Sequence, residues 1–264
     1  MDAPRPHDLI WLRDPHAFVA ERGLARIDGA GVSAARDRRD HRCDERRHEG
    51  PLPAWANAAW LARAPVVVRR DRDDAGRIPV GLRGLTRAAR HGAWLRPDEC
   101  ARVVTPGEVA RLARWRAHPG RDAIPALAAL VDLSRRLEAG AAKGGWHWGL
   151  TGAVGFSLAS GIDVLHAASD IDLLIDCPVP LTADDMQWFA ELALSAGGVR
   201  LDIQVDTPYG GFALAERLRT GGRVLLKTDR GPVLCEDPWH APQDHDQDQV
   251  YRQSQAGPLG AGHP

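Results

Sequence analysis

The sequence predicts an α/β or α+β protein in which a mixed sheet flanked by helices follows a smaller β-containing N-terminal domain. Three observations predict it. Short apolar runs alternate with amphipathic stretches from residue 146 onward. Ahead of residue 97 the ordered runs are strand-like, rich in Val and Ile. Gly, Pro and helix-capping residues punctuate the boundaries. The expected domains are 1–96, a catalytic domain over 97–240, and a loose tail over 241–264.

Composition narrows the class. At 264 residues, 44% hydrophobic and 26% charged, the chain can bury a real core and matches ordinary globular usage. A formal net charge of −1 argues against a nucleic-acid or membrane-surface binder, which needs a basic excess, though it leaves room for a local phosphate pocket. No apolar run reaches membrane-spanning length, and the start, Met1-Asp2-Ala3-Pro4, has no signal-peptide core, so the cytoplasm is the expected compartment. The four cysteines lie far apart and read as free thiols.

The elements follow in order. Residues 7–11 are short and apolar-leaning. Residues 28–50 are Arg, Asp, His and Glu with almost nothing to bury; a solvated or disordered insertion is expected, and a damaged reading frame would look the same. Residues 65–69 and 78–83 read as strands, and Asp73-Asp74-Ala75-Gly76 supplies the turn of a hairpin. Residues 123–138 carry a helical apolar stripe, with Gly140 as its stop. Residues 146–150 form a short strand, and Thr151-Gly152 turns into a helix ending at Gly161. A strand over 171–175 precedes a helix opened by Thr182 and Asp185 and stopped at Gly197-Gly198. A strand over 199–206, a helix over 211–218 and a hairpin over 223–235 complete the catalytic domain.

The chemistry gathers at Thr151-Gly152-Ala153-Val154-Gly155-Phe156 and Ser169-Asp170-Ile171-Asp172. Residues two apart on a strand share a face, so Asp170 and Asp172 point one way while Ile171 and Leu173 enter the core. Adjacent carboxylates repel unless one holds a proton or a cation sits between them, and oxygen ligands suit Mg²⁺ or Mn²⁺. A Gly turn opening a helix offers backbone N–H groups to phosphate oxygens, seating Gly152 and Ala153 as phosphate contacts. Together these are the parts of a nucleotidyltransferase-type site. A third carboxylate is expected from the next strand: Asp202 as metal ligand and proton acceptor, with Asp206 in reserve.

The other candidates weigh less. Asp71/Asp73 and Asp244/Asp246 repeat the acidic spacing in polar turns, where solvated acids account for them. Trp146-His147-Trp148 has the makings of a base-stacking platform, but aromatic strand residues are usually core. His240, Asp244 and His245 suggest surface polarity more than metal. Lys227 would reach a phosphate, and Arg69 and Arg83 would supply charge across a cleft. No Walker loop or nucleophile elbow is present.

Several segments are similar to the malonate decarboxylase holo-[acyl-carrier-protein] synthases, or phosphoribosyl-dephospho-CoA transferases. They are Arg5-Pro6-His7-Asp8-Leu9, Pro65-Val66-Val67-Val68-Arg69-Arg70, Ile78-Pro79-Val80-Gly81-Leu82-Arg83-Gly84, the 148–156 turn, Ser169-Asp170-Ile171-Asp172, Asp202-Ile203-Gln204, Ala213-Leu214-Ala215-Glu216, Val224-Leu225-Leu226-Lys227-Thr228 and Asp237-Pro238-Trp239. The resemblance implies a nucleotidyltransferase-like catalytic domain, with the family's acidic pair at Asp170 and Asp172. It implies transfer of the prosthetic group from 2′-(5″-triphosphoribosyl)-3′-dephospho-CoA to a serine of an apo acyl carrier protein, releasing diphosphate. Two departures stand out. Ala153 occupies a position where the family usually has Ser, and residues 28–50 match nothing in it. A nucleotidyltransferase using ATP or CTP, and an inactive binding module, are the competing readings.

Overall fold

The computed structural model describes residues 3–23, 50–194 and 197–241. The expected insertion (apart from Gly50) and the expected tail (apart from Ala241) lie outside the described residues. The chain divides into two compact units, 1–104 and 105–264. The division falls beyond the boundary read at residue 96, because Cys100–Val104 pairs with the first strand of the N-terminal sheet.

That sheet is antiparallel, in the order β4-β3-β2-β1-β5: β1 Leu9–Leu12, β2 Val66–Val68, β3 Ile78–Arg83, β4 Arg90–Leu95 and β5 Cys100–Val104. The expected β2–β3 hairpin is present. Its turn is held by Asp73, which bonds Arg77 Nε at 3.0 Å. The alternating residues Val66, Val68, Val80, Leu82 and Leu95 are buried together with Phe18, Leu52 and Leu61. Phe18 comes from α1 (Pro15–Arg22), which starts cleanly because Asp14 accepts from Ala17 N at 2.9 Å and Pro15 needs no donor. Leu61 comes from α2 (Ala58–Leu61), capped by Asn57.

The second unit opens with α3 (Pro106–Leu112), whose Thr105 and Glu108 form a reciprocal capping box. Next comes α4 (Pro125–Gly144). Gly140 does not stop it, contrary to expectation. A Cβ at Gly140 would come within 3.0 Å of the Trp146 and Trp188 rings, so the glycine there makes room for tryptophan; the helix ends at Gly145, where φ is +65°. The remaining elements are β6 (His147–Leu150), α5 (Gly152–Ser160), β7 (Ile171–Asp176), α6 (Ala183–Leu194), β8 (Leu201–Thr207), β9 (Gly210–Ala213), α7 (Leu214–Thr220), β10 (Val224–Thr228) and β11 (Gly231–Cys235). The helix expected over 211–218 begins only at Leu214. Its first residues instead form β9, with Phe212 fully buried opposite Val205.

The six strands run in the order β11-β10-β9-β8-β7-β6. Only β7 and β8 are parallel, joined by the α6 crossover, so the sheet is mixed as expected. The Thr182–Asp185 cap that opens α6 is formed, with Thr182 Oγ1 donating to Asp185 at 2.6 Å and accepting from Asp185 N at 3.1 Å. Ile171, Leu173, Ile175, Ile203, Val205, Phe212, Val224 and Leu226 all lie on one face, and each is buried. That face is the core of the unit. No helix among the described residues is long and apolar enough to cross a membrane.

Candidate active site

The opposite face of the same sheet is polar, and the strand period decides which residues it carries. Asp172, Leu174 and Asp176 alternate with the buried residues of β7, and Asp202, Gln204 and Asp206 with those of β8. Parallel register sets Asp172 directly beside Asp202, Leu174 beside Gln204, and Asp176 beside Asp206. Asp172 and Asp202 are each the second residue of their strand, so they meet at the amino ends of the parallel pair. Asp172 is half-buried and Asp202 exposed, its carboxylate 3.9 Å from Arg200 at the surface. Asp170 is half-buried one residue ahead of β7. A tight turn positions it: Ser169 N donates to His166 O at 2.9 Å, and Ser169 Oγ accepts from His166 N at 3.0 Å.

The Gly turn is fastened to this acidic end. Thr151 N donates to Asp172 O at 3.0 Å, which carries the chain from β6 into α5 alongside β7. Gly152 has φ +61°, and a Cβ there would lie 1.7 Å from Asp172 Oδ2. Only glycine both adopts that backbone and leaves the carboxylate in place. The first helical bond of α5 runs from Gly155 N to Thr151 O at 2.8 Å, so the amides of Gly152, Ala153 and Val154 precede the hydrogen-bonded ladder. The positive end of the helix therefore sits against Asp172, where fixed partial charge favours carboxylate and phosphate alike.

Several candidates stand elsewhere. Asp206 is 4% exposed and accepts from Gln204 Nε2 at 3.0 Å, a buried, bonded position unlike the open one of Asp202. Lys227 is exposed on the same face, but it pairs with Gly211, which pairs with Asp206. It therefore belongs to the Asp176–Asp206 row, four residues along the strands, about 13 Å from the Asp172–Asp202 row. Trp146 is core, 1% exposed and packed on Phe189 at 4.9 Å and Trp188 at 5.6 Å, and Trp148 packs on Trp115 at 6.4 Å; stacking on a base is not their role. Asp71 and Asp73 pair with Arg69 and Arg77 at 2.9 and 3.0 Å. His240 pairs with Asp237 at 2.8 Å, while Asp244 and His245 lie outside the described residues.

The sequence reading passed over Asp176. The alternation that set Asp170 and Asp172 on one face continues through Leu174 to it, and that was the available signal. Cys177 follows, buried, donating to Val179 O at 3.0 Å; burial, with Asp185 and Asp176 nearby, pushes its thiol up to about 11. Cys100, Cys177 and Cys235 are in no disulfide, in line with the expectation, and Cys43 lies outside the described residues.

The donor set at the amino end is all oxygen, the chemistry of a hard cation. Among the described residues no three His, Cys, Asp or Glu side chains are gathered into a ready-made metal cage. Two adjacent carboxylates suit an ion such as Mg²⁺, which takes one or two carboxylates and fills the rest of its sphere from substrate phosphates and water.

Comparison with known proteins matches both units. Residues 5–106 match the family model described as the phosphoribosyl-dephospho-CoA transferase MdcG N-terminal domain, and residues 112–238 its C-terminal domain. The chain is 39% identical over 238 residues to a phosphoribosyl-dephospho-CoA transferase of Klebsiella pneumoniae (strain 342), covering 90% of this chain and 97% of that one. It is 37% identical over 239 residues to the Pseudomonas putida protein of that name, covering 90% and 97%. With the Pseudomonas aeruginosa protein the identity is 41% over 193 residues, 71% and 85% of the two chains. No solved structure matches significantly.

Proposed function

Because the chain belongs to the phosphoribosyl-dephospho-CoA transferase family, we propose that it transfers the prosthetic group of malonate decarboxylase onto that enzyme's apo acyl carrier protein subunit. The donor in this reading is 2′-(5″-triphosphoribosyl)-3′-dephospho-CoA. The acceptor serine oxygen forms a bond to the α-phosphorus, the bond from that phosphorus to the bridging oxygen breaks, and diphosphate leaves. The product is a phosphodiester, and the serine proton passes to Asp202. The C-terminal unit is read as a nucleotidyltransferase-like fold.

The observation that carries the reading is the junction of Gly152 with the Asp172–Asp202 pair. The amides of Gly152 and Ala153 hold phosphate oxygens at the start of α5, with the backbone donor of Ala153 serving where relatives of the resembled family usually add a hydroxyl. Asp170, Asp172 and Asp202 would hold Mg²⁺ or Mn²⁺, which supplies charge neutralisation to the triphosphate and lowers the pKa of the attacking hydroxyl. The open position of Asp202 leaves its carboxylate able to turn toward an acceptor. Lys227, on the far row of the same face, adds positive charge there without joining the phosphate cradle.

Mass spectrometry of the apo carrier protein after incubation with protein, Mg²⁺ and candidate donor tests this. The expected gain is the phosphoribosyl-dephospho-CoA mass, with release of diphosphate. Labelling from ATP or CTP in place of that donor would overturn the assignment in favour of an ordinary nucleotidyltransferase.

A further inference from the structure

The outer face of the N-terminal sheet carries a second site, built from positive charge. Strand alternation puts Val66, Val68, Val80, Leu82 and Leu95 in the core and leaves Val67, Gly81, Arg83, Arg90 and Gly92 on the other side. Val67 pairs with Gly81, Gly81 with Gly92, and Arg83 with Arg90. Val67, Gly81 and Gly92 therefore line this face, with two arginines directly opposite one another at its end. Arg69 closes the other side. Its amide bonds Pro79 O at 2.8 Å, and its aliphatic stem lies 3.4 Å from where a Gly81 Cβ would project. The space enclosed is an open cavity of about 390 Å³.

Like charges placed opposite one another on neighbouring antiparallel strands destabilise a sheet, so a chain that keeps Arg83 against Arg90 gains something from the pair. Arg90 is held below its ordinary value, first by partial desolvation and then by the charge of Arg87. At the rim Asp71 meets Arg69 at 2.9 Å. Among the described residues lining the cavity there is no Asp or Glu. Guanidinium forks match phosphate oxygens bidentately. The volume accommodates a diphosphate with an attached sugar and is too small and concave for a docked helix.

We infer that this groove binds a diphosphate-bearing anion. The bridging diphosphate of a dephospho-CoA moiety and free inorganic diphosphate share the chemistry it reads. Naming dephospho-CoA rests on the transfer reaction proposed above; binding of inorganic diphosphate does not.

Calorimetric titration of the full chain in EDTA, which silences metal-dependent binding at Asp170 and Asp172, separates the two sources. Inorganic diphosphate is expected to bind, more weakly as salt rises, and about tenfold more weakly to Arg90→Gln or Arg83→Gln. Arg83→Lys, which keeps the charge and loses the fork, is expected to fall between. Tighter binding of 3′-dephospho-CoA shows that the groove reads the nucleotide as well; equal binding shows that it reads phosphate alone, and either supports the site. Arg90 is exposed near a strand end, so its variant should fold, and circular dichroism checks this. No heat with either anion at millimolar concentration, or unchanged affinity in both glutamine variants, overturns the proposal. So does loss of carrier-protein binding in those variants with both anions held as before, which reassigns the arginines to protein docking. Failure of the carrier mass shift with diphosphate binding intact would strike the transfer reading and leave this one standing.

Discussion

The two sheets solve the same packing problem and then diverge. Each buries one face of aliphatic side chains and leaves the other open. On the N-terminal sheet the open face pairs Arg83 with Arg90; on the C-terminal sheet it pairs Asp172 with Asp202. In both, a like-charged pair stands near a glycine whose missing side chain makes room for a neighbour, the Arg69 stem at Gly81 and the Asp172 carboxylate at Gly152. A formal net charge of −1 conceals this segregation entirely. Overall charge argues against a nucleic-acid or membrane-surface binder, but it carries no information about where charge is concentrated.

The largest effect expected is at the acidic face. Asp172→Ala should cut carrier modification by about a thousandfold or more, the scale of losing a group that stabilises the transition state, and Asp170→Ala should do likewise. Asp170→Ala should keep the wild-type melting temperature, and Asp172→Ala should lose only about 0.3–1 kcal/mol, the contribution of a carboxylate at a helix N-terminus. Clear unfolding of either would make the pair structural and break the comparison.

The next contrast is within β8. Asp202→Asn should reduce the rate severely with little change in stability. Asp206→Asn, which alters a buried acceptor of Gln204, should instead cost about 1–3 kcal/mol in denaturant titration. Near-normal activity in Asp202→Asn would remove Asp202 from the site and leave Asp170 and Asp172 to act as a pair, since Asp206 lies in the row paired with Asp176.

Gly152→Ala pairs with Gly161→Ala. Both residues have positive φ, +61° and +73°, so each alanine should cost about 1–2 kcal/mol of backbone strain. Only at Gly152 does the new Cβ meet Asp172, so only that variant should lose activity beyond its loss of stability. Equal activity in the two variants would detach the Gly turn from the site.

The smallest effect concerns Cys177. With its thiol near 11, iodoacetamide at pH 8 should spare it in the folded protein, as peptide mass spectrometry would record. Its folded pKa lies above the ordinary 9.0, so its contribution is intact below pH 9 and is lost as pH climbs toward 11.

Elements with an unambiguous local pattern were legible in the sequence: the β2–β3 hairpin, the capped start of α6, the strand bearing Asp172 and the terminal hairpin. What eluded reading depended on distant partners. Arg90–Leu95 has a glycine and no β-branched residue, so nothing local marks it as a strand, and the Arg83–Arg90 pair was invisible without it. Gly140 has the look of a helix stop until the rings of Trp146 and Trp188 are seen against it. The acidic residues of β7 and β8 were recognisable singly. Whether Asp202 or Asp206 stands beside Asp172 is a question of register, which one strand's sequence does not contain.

The parallel pair also distinguishes the two charged faces by the kind of contact that builds them. Adjoining hairpins bring Arg69, Arg83 and Arg90 together, so that surface needs only short loops to close. Asp172 and Asp202 become neighbours only after the chain has travelled out through α6 and back, a slower closure that no tight turn can shortcut. The arginine groove is thus built from contacts local in sequence, whereas the paired carboxylates depend on the α6 crossover to bring them into register.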